Sequence, residues 1–356
     1  MNRLIHTLTA SCLLLTLAAT ALAQGGNKFP FLEDEQPATP ELDLPPVGLA
    51  IQALQQTPGG PAIASVRAIV QLHEPTRGAI LETIETQLDE HGVILLEELP
   101  LDTPFIPVVQ VEYAGVTYSA VGETMNLQAP QQKLVVPCYE VTEDVPDWRV
   151  GMRHVQAMPV EGGFQVQELL VLMNPADRTW LGLPAGGEDR NTTSFNIPES
   201  AANVELGQGF HGWCCTVKLG GTIINQLPLM PGQTQMRVAY FLPAEEGGAR
   251  VNISCPAPTA SLMVMVPPSV GTSEVDGLQP MGMQSMGEAS MNMFVQENLA
   301  PGQSASLLLA ATSAPTDIAQ EAQSQNMAKM IGIIGGAIVL LAGIVFILMK
   351  PKSSAP

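Results

Sequence analysis

Residues 107–120 read PVVQVEYAGVTYSA, and this stretch decides the fold. Val109, Val111 and Tyr113 alternate with Gln110 and Glu112. That period of two belongs to a strand with one face against a core and one toward water. Ala114–Gly115 breaks the alternation and VTYSA resumes it, which predicts a β-hairpin with a tight connection.

The same texture spreads outward. Upstream lie ASVRAIVQL (64–72), GAILETIETQL (78–88), a turn at DEHG (89–92) and VILLEEL (93–99); downstream comes QKLVVPCYEV (132–141). After EDVPDW (143–148), VGMRHVQAMPVEGGFQVQELLVLMN (150–174) predicts two strands around Gly162–Gly163. Further short strand candidates are TSFNIP (193–198), CCTVKL (214–219), GTIINQL (221–227), MRVAYFLP (236–243), ARVNISC (249–255), SLMVMVP (261–267), MNMFVQE (291–297) and SASLLLAAT (304–312). With 32 Gly, 30 Pro and only 4% aromatic residues, the chain has many turns and cores of Val, Ile, Leu, Ala and Met. The expectation is an all-β protein: two β-sandwich domains in tandem, 61–145 and 146–312, followed by a single C-terminal transmembrane helix. Residues 24–60, rich in Pro, Gly and acids, read as a linker with a short helix around GLAIQALQQ (48–56).

The two ends carry addresses. Residues 1–23 place Arg3 before an apolar run, with Ala21 and Ala23 ahead of Gln24, the layout of a cleaved secretory signal peptide. Cys12 is not a lipidation site on this reading, because the apolar run continues past it. Residues 313–328 are polar and read as a stalk. Residues 329–349 read as the span; from 330 onward it is uncharged for 20 residues, enough to cross about 30 Å of hydrocarbon. Lys350 and Lys352 follow and put the short tail, 350–356, on the cytoplasmic side. The expected topology is single-pass type I in the cytoplasmic (inner) membrane, with the large domain on the periplasmic or extracellular side. Gly332 and Gly336 form a GxxxG pair through which two spans could approach as a homodimer.

Residues 86–120, TQLDEHGVILLEELPLDTPFIPVVQVEYAGVTYSA, resemble the second half of a carboxypeptidase-regulatory-like (transthyretin-like) β-sandwich. The features that carry the likeness are the Asp-x-x-Gly turn from Asp89 to Gly92, the Leu99–Pro100 step and the strand bearing Tyr113. The resemblance implies a non-catalytic stability or interaction module and no active residues. The whole layout also resembles bacterial membrane-anchored exported proteins that join such a module to a second β domain and a C-terminal span; no activity follows from it.

Two segments could carry chemistry. GFHGWCCTVKLGG (209–221) sets His211 before Cys214 and Cys215. In an exported protein cysteines tend to be bridged. Neighbours on a strand point to opposite faces, so Cys214 and Cys215 would bond different partners, drawn from Cys138 and Cys255. A bridge between the two neighbours would need a strained ring. MGMQSMGEASMNMF (281–294) gathers Met281, Met283, Met286, Met291 and Met293, soft ligands that suit Cu(I), with His211 a further metal candidate. The competing reading makes these methionines strand packing in a chain short of aromatics. No CxxC, HExxH, phosphate-loop, dinucleotide or GxSxG motif occurs.

Formal charge is −19; without Arg3, Lys329, Lys350 and Lys352 the exported part carries −23. Such a field disfavours nucleic acid and anionic lipid. The expectation is therefore a non-enzymatic, membrane-tethered interaction or scaffold module with an acidic surface and no cofactor. Its partner would be another exported or membrane protein. The alternative is a copper- or haem-handling accessory using residues 281–293.

Overall fold

The computed structural model describes residues 47–310 except 188, 246–247 and 287–288. The signal-peptide, stalk, span and tail readings, and the Gly332/Gly336 pair, lie outside these residues. The described residues are all-β, and no helix among them is long and apolar enough to cross a membrane.

Eight strands come first: β1 Gly48–Gln55, β2 Arg67–His73, β3 Ile80–Gln87, β4 Val93–Leu96, β5 Ile106–Tyr113, β6 Val116–Val121, β7 Gln131–Cys138 and β8 Val141–Thr142. They form a three-stranded sheet, β4-β1-β7, and a four-stranded sheet, β3-β2-β5-β6. One apolar cluster draws on both, including Leu49 and Ile51 of β1, Val70 and Leu72 of β2, Val109 and Val111 of β5, and Val136 of β7. The hairpin at Ala114–Gly115 is as expected: Tyr113 faces Val116, and both turn residues have positive φ, 51° and 76°. At the Asp89–Gly92 turn, the Asp89 carboxylate accepts hydrogen bonds from the backbone N–H groups of His91 and Val93, each 2.8 Å.

One expectation is corrected here. The segment GLAIQALQ is not part of a linker and not a helix; it is β1, the central strand of its sheet, parallel to β7 and antiparallel to β4. Its residues 48–53 are all buried. A strand covered on both faces reads as a continuous apolar run without alternation, and a short run of that kind resembles a helix segment.

The remaining strands are β9 Arg149–Val160, β10 Gly163–Asn174, β11 Thr179–Trp180, β12 Leu183–Gly186, β13 Asp189–Asn191, β14 Thr193–Asn196, β15 Ala202–Leu206 and β16 Thr216–Leu219. They continue with β17 Thr222–Asn225, β18 Gly232–Pro243, β19 Ala249–Ser254, β20 Thr259–Val266, β21 Thr272–Asp276, β22 Gln279–Met286, β23 Ala289–Leu299 and β24 Ser304–Leu309. The major sheet runs β15-β18-β10-β9-β20-β23-β22, with β9 and β20 parallel. Two small sheets, β14-β17-β16 and β19-β24-β21, share its core. Strand β10 shows why: Phe164, Val166, Leu170 and Leu172 are buried, while Gln165, Gln167, Leu169 and Val171 between them are only half-buried on the other face.

The two cores are tied by polar contacts. β8 pairs with β11. The Thr57 hydroxyl donates to the Asp177 carbonyl at 2.7 Å, and the Tyr118 and Thr179 hydroxyls share a hydrogen bond at 2.9 Å.

Candidate functional site

The cysteine pair sits in the loop between β15 and β16. Phe210 anchors that loop, packing on the second core with its ring centroid 6.1 Å from that of Phe195. Gly209 lets it pass flush against β18: at φ 83°, a Cβ there would meet the Gln235 carbonyl oxygen at 2.2 Å. The loop then turns, with the Cys215 N–H donating to the Gly212 carbonyl at 3.4 Å, and is held beyond the turn by the Gln226 N–H donating to the Cys215 carbonyl at 3.0 Å.

This corrects the expected placement. Cys214 and Cys215 precede the strand, which begins at Thr216, so the alternation that would separate them does not apply. Their Sγ atoms lie 3.0 Å apart, and the Cys214 thiol donates to the His211 carbonyl at 3.4 Å. Nor are the expected bridges made: the four cysteines among the described residues are free thiols. Cys138 is enclosed by the first core and Cys255 by the second, while Cys214 is exposed on its turn. Burial pushes the Cys138 thiol up to about 12. The Cys215 thiol is raised by its hydrogen bond to Cys214, with smaller contributions from burial and from the Cys214 charge.

The methionine segment does not converge. Met281 and Met283 are exposed on β22, at 56% and 63%, whereas Met291 is buried on β23 and Met293 half-buried. In the register, Met283 faces Asn292, and Gly282 and Gln284 face Met293 and Met291. Met283 therefore lies on the opposite face from that pair. Met286 closes β22 opposite Ala289. His211 is exposed in the loop leaving β15, and β15 and β22 are the two edges of the major sheet, six strand spacings or about 29 Å apart before twist. Among the described residues no three His, Cys, Asp or Glu side chains are grouped to hold a metal ion.

Neighbouring strands bring other methionines together. Met263 of β20 pairs in register with His154 of β9 and with Val295 of β23, and Met265 with Gln156 and Met293. These residues share the face of the major sheet directed away from its core. His154 is 7% exposed, and its Nδ1 has no hydrogen-bond partner. Burial lowers its pKa to about 4.

Two polar clusters escaped the sequence reading. Arg153 of β9 is buried inside the second core, with Nε donating to Glu168 Oε2 at 2.8 Å and a second nitrogen 2.7 Å from the same oxygen. Its guanidinium also donates to the Ser254 and Asn196 carbonyls, and Tyr240 donates to Glu168 Oε1 at 2.7 Å. Burial opposes the Arg153 charge most strongly, but the Glu168 carboxylate together with Cys255 and Tyr240 outweighs it, so the guanidinium pKa is raised. The side chain thus ties the major sheet to both small sheets. The signal was present: Glu168 falls in phase with Val166 and Leu170 on the apolar side of β10. In the second cluster Tyr113 donates to Glu140, and Gln55 Nε2 donates to Glu140 at 2.9 Å and to Tyr113 at 3.2 Å. Burial, then the hydrogen bond to Glu140 and its charge, pushes Tyr113 up to about 12.

Neither a protein-family profile nor any curated protein matches the chain. Among solved structures it is similar to Legionella pneumophila aminopeptidase A in complex with aspartic acid, at 8% identity and a TM-score of 0.29. That likeness covers 47% of this chain and 22% of the aminopeptidase, and carries no argument about fold or activity.

Proposed function

We propose that this chain is a non-catalytic, membrane-tethered exported protein of two tandem β-sandwich modules, the first carboxypeptidase-regulatory-like, which acts by binding another exported or membrane protein. The observation that carries this reading is the outer face of the major sheet. There Leu169, Val171, Met263, Met293 and Val295 lie half-buried in register, with Arg237 paired beside Leu169 and Arg149, Glu205 and Glu297 farther out on the same face. An apolar band on a sheet face suits a protein partner with an apolar patch, to whose shape methionine adapts, and the chain's formal charge of −19 favours a partner of opposite net charge.

A photo-crosslinking residue at Leu169, Val171 or Met263, introduced one at a time into the full chain in its native membrane, should give one shared adduct. The same residue at Glu274, on β21 of a small sheet, should not. Equal yield from Glu274, or no adduct from the face, refutes the reading. Protease added outside the cytoplasmic membrane should degrade residues 62–312; their protection would overturn the topology.

A soft-metal reading draws support from Met263 beside the unpartnered His154 Nδ1, a different set from residues 281–293. Cu(I) loading under reducing conditions distinguishes it: stoichiometric binding lost in Met263→Leu would replace the interaction reading.

A further inference from the structure

We propose that Cys214 and Cys215 are a vicinal redox pair that closes to a disulfide by exchange with a disulfide compound and reopens with thiol. Three observations outside the interaction reading carry this. The sulfurs are already 3.0 Å apart, about 1 Å beyond an S–S bond of about 2.05 Å. The turn that presents them is held on both sides, by Phe210 against the core and by the Gln226 N–H on the Cys215 carbonyl, so the two sulfurs are kept beside each other. And no other thiol among the described residues competes, because Cys138 and Cys255 are enclosed in separate cores.

The exposed Cys214 is the entry point. Its thiolate attacks R–S–S–R, forming Cys214–S–S–R and releasing RS⁻. The Cys215 thiolate then attacks the Cys214 sulfur, forming the Cys214–Cys215 bond and releasing the second RS⁻. The two protons lost by the cysteines end on the two released thiols, so the protein is oxidised by two electrons and the disulfide compound is reduced by two. Adjacent Cα atoms lie about 3.8 Å apart, below the usual span of about 4.4–6.8 Å for a bridge. The closed ring is therefore strained as well as exposed, which places it among readily reduced disulfides rather than inert structural ones.

The test uses the full chain, treated with oxidised glutathione or with dithiothreitol, then quenched in acid, denatured, alkylated and mapped by peptide mass. After glutathione disulfide, the peptide holding Cys214 and Cys215 should be lighter by two hydrogen atoms and lose its alkylation, while Cys138 and Cys255 are alkylated. Dithiothreitol should restore alkylation at both loop positions. Cys215→Ser, unable to complete the second step, should accumulate a glutathione adduct on Cys214. Alkylation of both loop cysteines after glutathione disulfide would overturn the proposal. So would a persistent adduct on the natural sequence, or a bridge from either residue to Cys138 or Cys255.

Discussion

Replacing Arg153 with Met is the sharpest test of how the second core is built. The substitution removes every donor that Arg153 aims at Glu168 and leaves that carboxylate with the Tyr240 hydroxyl alone. It also strips a donor from the Ser254 and Asn196 carbonyls. Breaking a buried pair by deleting one partner costs about 3–5 kcal/mol, because the remaining charge is stranded. Against a total stability of about 5–15 kcal/mol this is a large fraction. In the double variant Arg153→Met/Glu168→Leu the stranded charge is gone, and only the Tyr240 hydroxyl and the two carbonyls go without their partners. It should recover most of the loss, remaining about 1–3 kcal/mol below the natural protein. Urea unfolding of the full chain in mild detergent, followed by tryptophan fluorescence, reads this through Trp180, which is buried in the same core. An Arg153→Met variant within about 1 kcal/mol of the natural protein would refute the bracing role. A double variant no better than the single would refute the stranded-charge account.

His154 predicts a pH dependence. Its native pKa is lowered to about 4 by burial, against about 6.5 when unfolded. Its neutral-state stability is therefore complete above pH 6.5 and is lost as pH falls toward 4, by about 3 kcal/mol. His154→Leu should flatten that window in paired urea titrations, and identical slopes in the two proteins would count against it. At the β5–β6 hairpin, Ala114 occupies a left-handed conformation that Asn accepts more readily. Ala114→Asn should stabilise by about 0.5–1 kcal/mol and raise the thermal midpoint; a lowered midpoint would contradict the turn assignment.

What the sequence determines by itself is local. The alternation of Val109, Val111 and Tyr113, the left-handed step at Ala114–Gly115 and the Asp89–Gly92 turn are each written within a few residues, and the structure forms each where expected. The all-β class follows from such segments repeated along the chain. Tertiary structure decided what depends on residues far apart. β1 is a strand because β4 and β7 flank it, and only those neighbours distinguish GLAIQALQ from a helix. The contiguous methionines of residues 281–293 are divided between two faces by the β22–β23 register, while Met263, from another strand, comes to lie beside His154. Arg153 and Glu168 are each an ordinary polar residue until the β9–β10 hairpin folds them into one core. Cys214 and Cys215 would be separated by a strand's alternation, yet meet because Gly212 opens a turn ahead of Thr216. Periodicity records which way a side chain points along its own strand; which strand lies beside it is set by pairing across the sheet.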